Sequence, residues 1–486
     1  MTKKIKHILL IKFIFLIFIS NSYSVNSNYN KQTIQARELI FDFKFKEANL
    51  ILNKDDSPIS FYLQSYSIFL ENLLIGGEKN FNNFESNLDL TIDKLKEIEE
   101  KDSLKNILIS EVYLQSAIVK LMNRDFISGS FHFIKSHNYF SDSEDMFPNL
   151  LHNKKLSGLY KIIAGITPDK GKKFLEMIGL EGDLKDGFSD LNSYMQYAEN
   201  KDYLYVESFA LHKLVSVFFK EDLQIKSISK CKNNFSNNSA LLFTEILKNY
   251  KFGEFNNLII NAEKLSEINN KKEIPILYYF SGIASTTINY KTSISYLFKY
   301  ISTTKNKNFI KASNWQLARI YLLNNNAEQF NKFKQLTIEQ GTDFTSADKQ
   351  AVQEAEELTK PNTVLLKVRL LFDAQKYDKA YTLLMNNKIN TFNTNKEKAE
   401  YLYRLGRIEY KRENYTQAKI NFLTVLKDYR YVEKYFIPYS SLELAYIFKE
   451  EKNIEKQKYY LELALYLNKY GYSNSIKQKA NNALKQ

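Results

Sequence analysis

The chain of 486 residues is rich in apolar side chains and poor in turn formers: 44% of it is hydrophobic, and it holds only 14 glycines and 6 prolines. Sandwiches, barrels and glycine-rich nucleotide-binding folds need the turns that these two residues make, so the composition favours long helices. The net charge of +13 does not by itself indicate a polyanionic ligand. Lysine is abundant together with asparagine, isoleucine, phenylalanine and tyrosine, as A/T-rich codon usage would give, and no nucleic-acid partner is predicted.

The N-terminal segment has the three parts of a secretory signal. Residues 2–7 are basic, residues 8–19 are apolar apart from one lysine, and residues 22–24 form a small-x-small site. The apolar part is shorter than the roughly 20 residues that a membrane-spanning helix needs. We therefore expect residues 1–24 to be a signal peptide.

Cleavage is expected between Ser24 and Val25, and the remaining chain has no second apolar run of 18 or more residues. We therefore predict a periplasmic or secreted protein with no stable membrane span after cleavage; retention of the segment as an uncleaved anchor is the alternative. The absence of a cysteine beside the cleavage site argues against a bacterial lipoprotein. Cys231 is the single cysteine, so no disulfide forms within the chain.

Residues 25–260 show helical rhythm without a clear repeat. Stretches such as Ile107–Leu121 carry apolar residues at helical spacing, and three short segments look like the turn between two helices of a repeat. These segments are Lys44–Ala48, Asn123–Phe126 and Lys251–Phe255. We predict a divergent helical-repeat region here, with an insertion near residues 165–185.

Two patterns in this region suggest chemistry, but neither meets the requirements. Gly165–Lys173 is similar to a phosphate-binding loop, yet it has five residues between its glycines instead of four and ends on lysine where Ser or Thr would hold magnesium. It follows no predicted strand and is expected to be a loop between helices. His132 and His137 lie five residues apart, which does not place them on one helix face. No catalytic residue, metal site or cofactor is predicted.

The C-terminal part contains a repeated helix-hairpin pattern, clearest over residues 364–467. One unit has Leu405–Gly406 in its first helix, Tyr415 and Ala418 at the start of its second, and Phe422 one turn later. Small residues at two of these positions let the two helices approach closely, while the large ones fill the space around them.

Three successive units place the second small position at Ala380, Ala418 and Gln457, which are 38 and 39 residues apart. The pattern within each unit resembles that of tetratricopeptide (TPR) repeats, whose period is about 34 residues, with longer loops between units. Gln457 departs from the pattern, and so does Glu409, which stands where TPR units have an aromatic residue. The resemblance implies an all-α fold, a right-handed α-α superhelical solenoid of TPR-like helix hairpins, over residues 261–486.

A second, local resemblance covers residues 156–187. The run from Pro168 to Asp183, with Gly187 just beyond it, is similar to a segment of the eukaryotic inclusion-body-clearance family of TPR proteins. This likeness implies a helical-repeat protein with a structured break near residues 165–185. It does not carry over a role at lipid droplets, because the predicted export argues against a cytosolic one.

In TPR folds the first helix of each unit lines a concave groove through positions four and three residues apart. The resemblance therefore implies binding positions, several of them aromatic or cationic, as interface anchors commonly are. The candidates are Arg369, Phe372, Tyr403, Arg407, Tyr410, Tyr446 and Lys449. Such a groove suits an acidic or C-terminal peptide segment. The alternative is that these side chains stack on one another and close the groove.

The expected function is that of an exported TPR scaffold or adaptor that binds a protein or peptide partner through its concave groove and is not an enzyme. The alternative is a helical-superhelix enzyme or a binding protein acting on cell-envelope glycans. An enzyme would need a compact catalytic domain, whereas the repeats continue almost to the C-terminus.

Overall fold

Every secondary-structure element that the computed structural model describes is a helix. The structure describes residues 29–167, 169–198, 202–216, 237–270, 273–357, 360–469 and 473–484. The predicted all-α class is confirmed for these residues. The predicted signal peptide, its cleavage site and Cys231 lie outside them.

The described residues form 24 α-helices. They are α1 (Lys31–Phe41), α2 (Phe45–Leu52), α3 (Pro58–Leu74), α4 (Glu78–Lys96), α5 (Leu104–Met122), α6 (Phe126–Met146), α7 (Asn153–Ile166), α8 (Asp169–Met177), α9 (Leu184–Ala198), α10 (Asp202–Ser216), α11 (Ser239–Phe252), α12 (Phe255–Ile268), α13 (Pro275–Ser285), α14 (Tyr290–Thr303), α15 (Ile310–Leu323), α16 (Ala327–Glu339), α17 (Ser346–Ala355), α18 (Thr363–Asp373), α19 (Tyr377–Met385), α20 (Asn395–Lys411), α21 (Tyr415–Asp428), α22 (Phe436–Glu450), α23 (Ile454–Tyr466) and α24 (Ser473–Leu484). None of these helices combines the length and the apolar character that crossing a membrane requires.

Seven of the described helix hairpins share one turn. In each, the residue two before the second helix has a φ between 55° and 78°, and the N–H of the next residue donates to the carbonyl five residues back at 2.8–2.9 Å. This six-to-one hydrogen bond is the Schellman ending of a helix. The residues of positive φ are Phe43, Arg124, Gly253, Asn325, Gln375, Glu413 and Lys452. The three turns predicted in the N-terminal region are among them and are confirmed.

The predicted close approach of two helices is confirmed in the clearest unit. A Cβ on Gly406 of α20 would lie 2.7 Å from the Phe422 ring of α21, and Ala418 on α21 is fully buried. The hairpin of α13 and α14 has the same feature, since a Cβ on Gly282 would come within 2.8 Å of Leu297. Only a small residue fits at such a contact.

The chain divides into two compact units. Unit 1 comprises the described residues up to Ser285 together with Lys291–Ser313 and Gly341–Lys349; unit 2 comprises Thr286–Tyr290, Asn314–Gln340 and the described residues from Gln350 onward. The predicted division at residue 260 concerns the kind of repeat on either side, and it stays a prediction, as does the handedness of the superhelix.

In unit 1 the region of the predicted insertion is helical over α8 and at its two ends, whereas residues 178–183 are not helical. Gly165 lies in α7 and Gly171 in α8, so the expectation of a plain loop between helices is wrong. α7 pairs with α9, and a Cβ on Gly158 or Gly187 would lie 2.7 Å from the other glycine's carbonyl oxygen. The short α8 and the turn after it connect this tightly packed pair.

In unit 2 the first helices of successive hairpins lie side by side. α18 contacts α20, and α20 contacts α22, while each also packs on the second helix of its own hairpin. A continuous apolar core runs through these hairpins, and a smaller cluster with Leu442, Leu461 and Ile476 joins α22 and α23 to α24. This arrangement places one face of each first helix in a common row.

Candidate functional site

All seven predicted groove residues lie on three neighbouring first helices of unit 2. Arg369 and Phe372 lie on α18, Tyr403, Arg407 and Tyr410 on α20, and Tyr446 and Lys449 on α22. The structure brings some of them into contact and leaves others apart.

Arg407 is held between two aromatic rings. Its guanidinium carbon lies 4.1 Å from the centroid of Phe372 and 5.7 Å from that of Tyr403, and its Nε lies 3.8 Å from Glu443 Oε1. Phe372 and Tyr403 are buried, and burial raises the pKa of the Tyr403 hydroxyl well above its ordinary value. These three side chains therefore stack on one another, which is the alternative arrangement that the sequence leaves open.

The remaining positions on α20 and α22 are more open. Tyr410 and Tyr446 are half-buried and Lys449 is exposed. Burial raises the pKa of Tyr410 to about 12, and it raises the pKa of Tyr446 too, with the Glu443 charge adding to the effect. Both phenols are therefore neutral hydrogen-bond donors at physiological pH.

A cleft of about 700 Å³ is lined by residues of α15, α17, α18, α20 and α22, and Arg369 is the member of the predicted set that lines it. The cleft is bordered by residues from the first helices and the segments that lead into them. Its lining residues are Trp315, Arg319, Gln353, Glu354, Glu357, Lys360, Pro361, Asn362, Leu366, Arg369, Thr394, Lys396, Glu397, Glu400, Arg404, Glu433, Lys434, Tyr435 and Phe436. Six of them are cations and five are acids, so the walls are densely charged but nearly balanced.

The floor of the cleft is fixed by Glu354. Its carboxylate accepts hydrogen bonds from Arg319, from Arg369 Nη1 at 3.0 Å and from Trp315 Nε1 at 2.9 Å. Burial acts to raise the pKa of Glu354, but the two guanidinium groups outweigh it and hold this pKa well below the ordinary value. With three donors from α15 and α18, this carboxylate is a rigid part of the wall.

A second ion-pair group lies at the more exposed part of the cleft. Lys396 Nζ lies 2.8 Å from Glu357 Oε2, and Lys434 Nζ lies 2.8 Å from Glu357 Oε1. All three side chains are about one-third exposed. Lys360 is exposed close by, with its ammonium 6.0 Å from the Phe330 ring centroid. We call Glu357, Lys360, Lys396 and Lys434 the lysine rim.

Between floor and rim, Arg404 is bound to its own helix. Its Nε donates to Glu400 Oε1 at 2.9 Å, and its Nη2 lies 3.4 Å from the Tyr435 hydroxyl. Glu397 is occupied differently: it accepts from Asn362 Nδ2 at 2.9 Å and completes the capping box with Thr394 at the start of α20. These contacts order the wall before any ligand arrives, which lowers the entropic cost of binding.

Unit 1 contains a charged cluster of a different kind. Arg37 on α1 pairs with Glu207 on α10, and Lys155 Nζ lies 2.8 Å from Glu111 Oε1 and 3.1 Å from Glu207 Oε1. The Tyr62 hydroxyl donates to Glu111 at 3.0 Å. Burial raises the pKa of Glu111 to about 7, the Glu207 charge adds to this shift, and Lys155 opposes it.

These four charged side chains are at most 2% exposed. No solute reaches them in this conformation, so the cluster stabilises the packing of α1, α5, α7 and α10 and is not a candidate site. Among the described residues, no group of three or more His, Cys, Asp or Glu is arranged to hold a metal ion.

Sequence reasoning missed most of the cleft, because its charged residues lie outside the positions that the TPR resemblance implies. One signal was present in the sequence. Glu357, Lys396 and Lys434 are 39 and 38 residues apart, which matches the spacing of Ala380, Ala418 and Gln457. A charged position that recurs at the repeat period predicts a row of side chains along the stacked units.

Neither the models of known protein families nor the curated protein sequences give a match to this chain.

Proposed function

We propose that this chain is an exported helical-repeat protein of TPR type, and that unit 2 binds a peptide segment of a protein partner in its charged cleft without catalysis. The observation that carries the proposal is the cleft itself. It has the volume of a specific ligand site, about 300–1,000 Å³, and it lies along neighbouring first helices. Its side chains are already ordered by internal ion pairs.

The half-buried phenols of Tyr410 and Tyr446 extend the polar surface on α20 and α22. Arg407 stacks on the buried rings of Phe372 and Tyr403 and so joins α18 to α20. In this proposal a peptide contacts the cleft and the two tyrosines, whereas Tyr403 and Phe372 act through packing. Export rests on the N-terminal signal, and sequencing the N-terminus of the protein recovered from cells tests it, because a chain beginning at Val25 is expected.

Site-specific photo-crosslinking tests the binding proposal. A photoreactive phenylalanine analogue replaces Lys360 in the cleft in one variant and Lys458 in another. Lys458 is also exposed but lies on the second helix α23. We expect one recurrent polypeptide adduct from position 360 and none from position 458.

Adducts that are equal at the two positions would contradict the proposal. An adduct at position 360 that consists of glycan and contains no polypeptide would favour the envelope-glycan alternative instead.

A further inference from the structure

The lysine rim already holds a carboxylate. Each oxygen of Glu357 lies 2.8 Å from a different ammonium, one from Lys396 at the start of α20 and one from Lys434 just before α22. The two lysines thus form a seat for a carboxylate, and Glu357, from the segment that precedes α18, occupies it. Charge-assisted hydrogen bonds of this length are near their optimum.

A ligand carboxylate can replace that of Glu357 on the two lysines, whereas the Glu354 carboxylate at the floor of the cleft stays in place. Glu357 and its two lysines are 29–33% exposed, whereas the Arg319 and Glu354 pair is 11–19% exposed. Exposed ion pairs contribute little net stability because water solvates both partners and salt screens them. A ligand can therefore replace Glu357 at small cost, while Glu354 stays bound to two arginines and Trp315.

Charge around the seat favours an incoming anion. Lys360 also lines the cleft, and its ammonium has no carboxylate partner among the described residues. Of the acids nearby, Glu397 is occupied by Asn362 and the capping box, and Glu433 is exposed at the edge. Burial acts to raise the pKa of Glu357, but the bonds to Lys396 and Lys434 outweigh it and hold that pKa below its ordinary value, so the carboxylate is charged at neutral pH.

We propose that Glu357 is an internal stand-in for a ligand carboxylate, and that the cleft recognises an acidic peptide whose Asp or Glu side chain displaces Glu357 from Lys396 and Lys434. This inference rests on the proposed peptide-binding function and specifies its ligand. A carboxylate could also come from a uronic-acid polysaccharide. Peptide is favoured because the half-buried Pro361 and Tyr435 line the same cleft as the two lysines and add apolar surface and a phenol to it, which suits an extended polypeptide chain.

Fluorescence polarisation with the purified chain tests this inference. The probes are fluorescein-labelled hexaglutamate and, as a neutral control, hexaglutamine. The proteins are the parent chain, Glu357→Gln, Lys396→Gln with Lys434→Gln, and Lys379→Gln with Lys458→Gln as a control that removes two exposed charges elsewhere in unit 2.

Glu357→Gln is expected to bind hexaglutamate about threefold to tenfold more tightly than the parent, because two ammonium groups lose their internal partner. The Lys396 and Lys434 double variant is expected to bind it at least tenfold more weakly, and the control pair to differ little. The affinities of the four proteins for hexaglutamine should not show this ranking.

Unchanged hexaglutamate affinity in Glu357→Gln overturns the inference, as does an increase that hexaglutamine shares. So does a gain in Glu357→Gln for polygalacturonate without one for hexaglutamate, because it assigns the seat to a polysaccharide. A polypeptide adduct at position 360 in cells together with any of these results would leave the proposed function standing and remove only the acidic ligand.

Discussion

Units 1 and 2 share the same hairpin turn, but their paired charges differ in burial. In unit 1, Glu207 accepts from Arg37 and Lys155 in an environment that water does not reach. In unit 2, Glu357 also accepts from two cations, Lys396 and Lys434, but with all three groups about one-third exposed. The first arrangement fixes a fold, and the second remains available to a ligand.

Charge on a helical repeat is therefore not in itself a sign of a binding surface. A buried charge that loses its partner is costly, so such a cluster must stay closed. An exposed pair is worth little, so its members exchange partners easily. Burial, which the sequence does not display, separates the two cases.

The largest expected effect compares the two glutamates directly. Glu207→Gln should lower the free energy of unfolding of unit 1 by about 3–5 kcal/mol, because Arg37 and Lys155 are left partly uncompensated in the interior. Glu357→Gln should lower that of unit 2 by no more than about 1 kcal/mol. Urea unfolding followed by helical circular dichroism measures both. If the two substitutions lower the free energy of unfolding equally, the two glutamates do not differ in the way that their burial predicts.

The stability of unit 1 should also depend on pH through its buried cluster. Glu111 has a folded-state pKa of about 7, above its ordinary value of 4.5, mainly because it is buried. A raised pKa means that its contribution to stability is full below about pH 4.5 and is lost as the pH rises through about 7.

Unit 1 should therefore lose about 2 kcal/mol of stability between about pH 5.5 and pH 8 through this group. The Glu111→Gln variant has no carboxyl to titrate at this position, so its loss of stability over the same pH interval should be smaller than that of the parent by about 2 kcal/mol. Parallel pH profiles of unfolding for the parent and Glu111→Gln would show that this group does not titrate in the window.

The smallest effect concerns the turn that the units share. Gly253→Ala in unit 1 should destabilise by about 1 kcal/mol, because alanine resists a φ of 78°. Glu413→Gly in unit 2, at a φ of 62°, should be neutral or stabilising by about 0.5 kcal/mol. Shifts in thermal midpoint measure both. If both substitutions shift the thermal midpoint in the same direction, the two turns are not equivalent.

The sequence predicted the parts of this protein that depend on local rules. Low glycine and proline content and helical spacing indicate the all-α class, and the Gly406 and Ala418 positions identify a hairpin with a close helix contact. The turns at Arg124 and Gly253 are recognisable in the sequence because a short polar or glycine-containing segment lies between two apolar stretches of helical spacing.

What the sequence could not predict depends on contacts between distant residues. Arg37 and Glu207 are 170 residues apart, and nothing local to either marks the partner. Tyr403 was predicted as a groove residue, but it is only 2% exposed, because the ring packs beneath Arg407. Its position on the first helix was predictable, whereas the depth of its burial depends on how neighbouring hairpins pack.

If the cleft of unit 2 binds an acidic peptide, the photo-crosslink at position 360 should depend on the charge of the lysine rim. One protein carries Lys396→Glu with Lys434→Glu in the lysine rim. The other carries Lys379→Glu with Lys458→Glu, two exposed lysines on second helices, so both change the net charge equally. We predict that the polypeptide adduct disappears in the first protein and persists in the second. Equal adduct yields in the two proteins would contradict it.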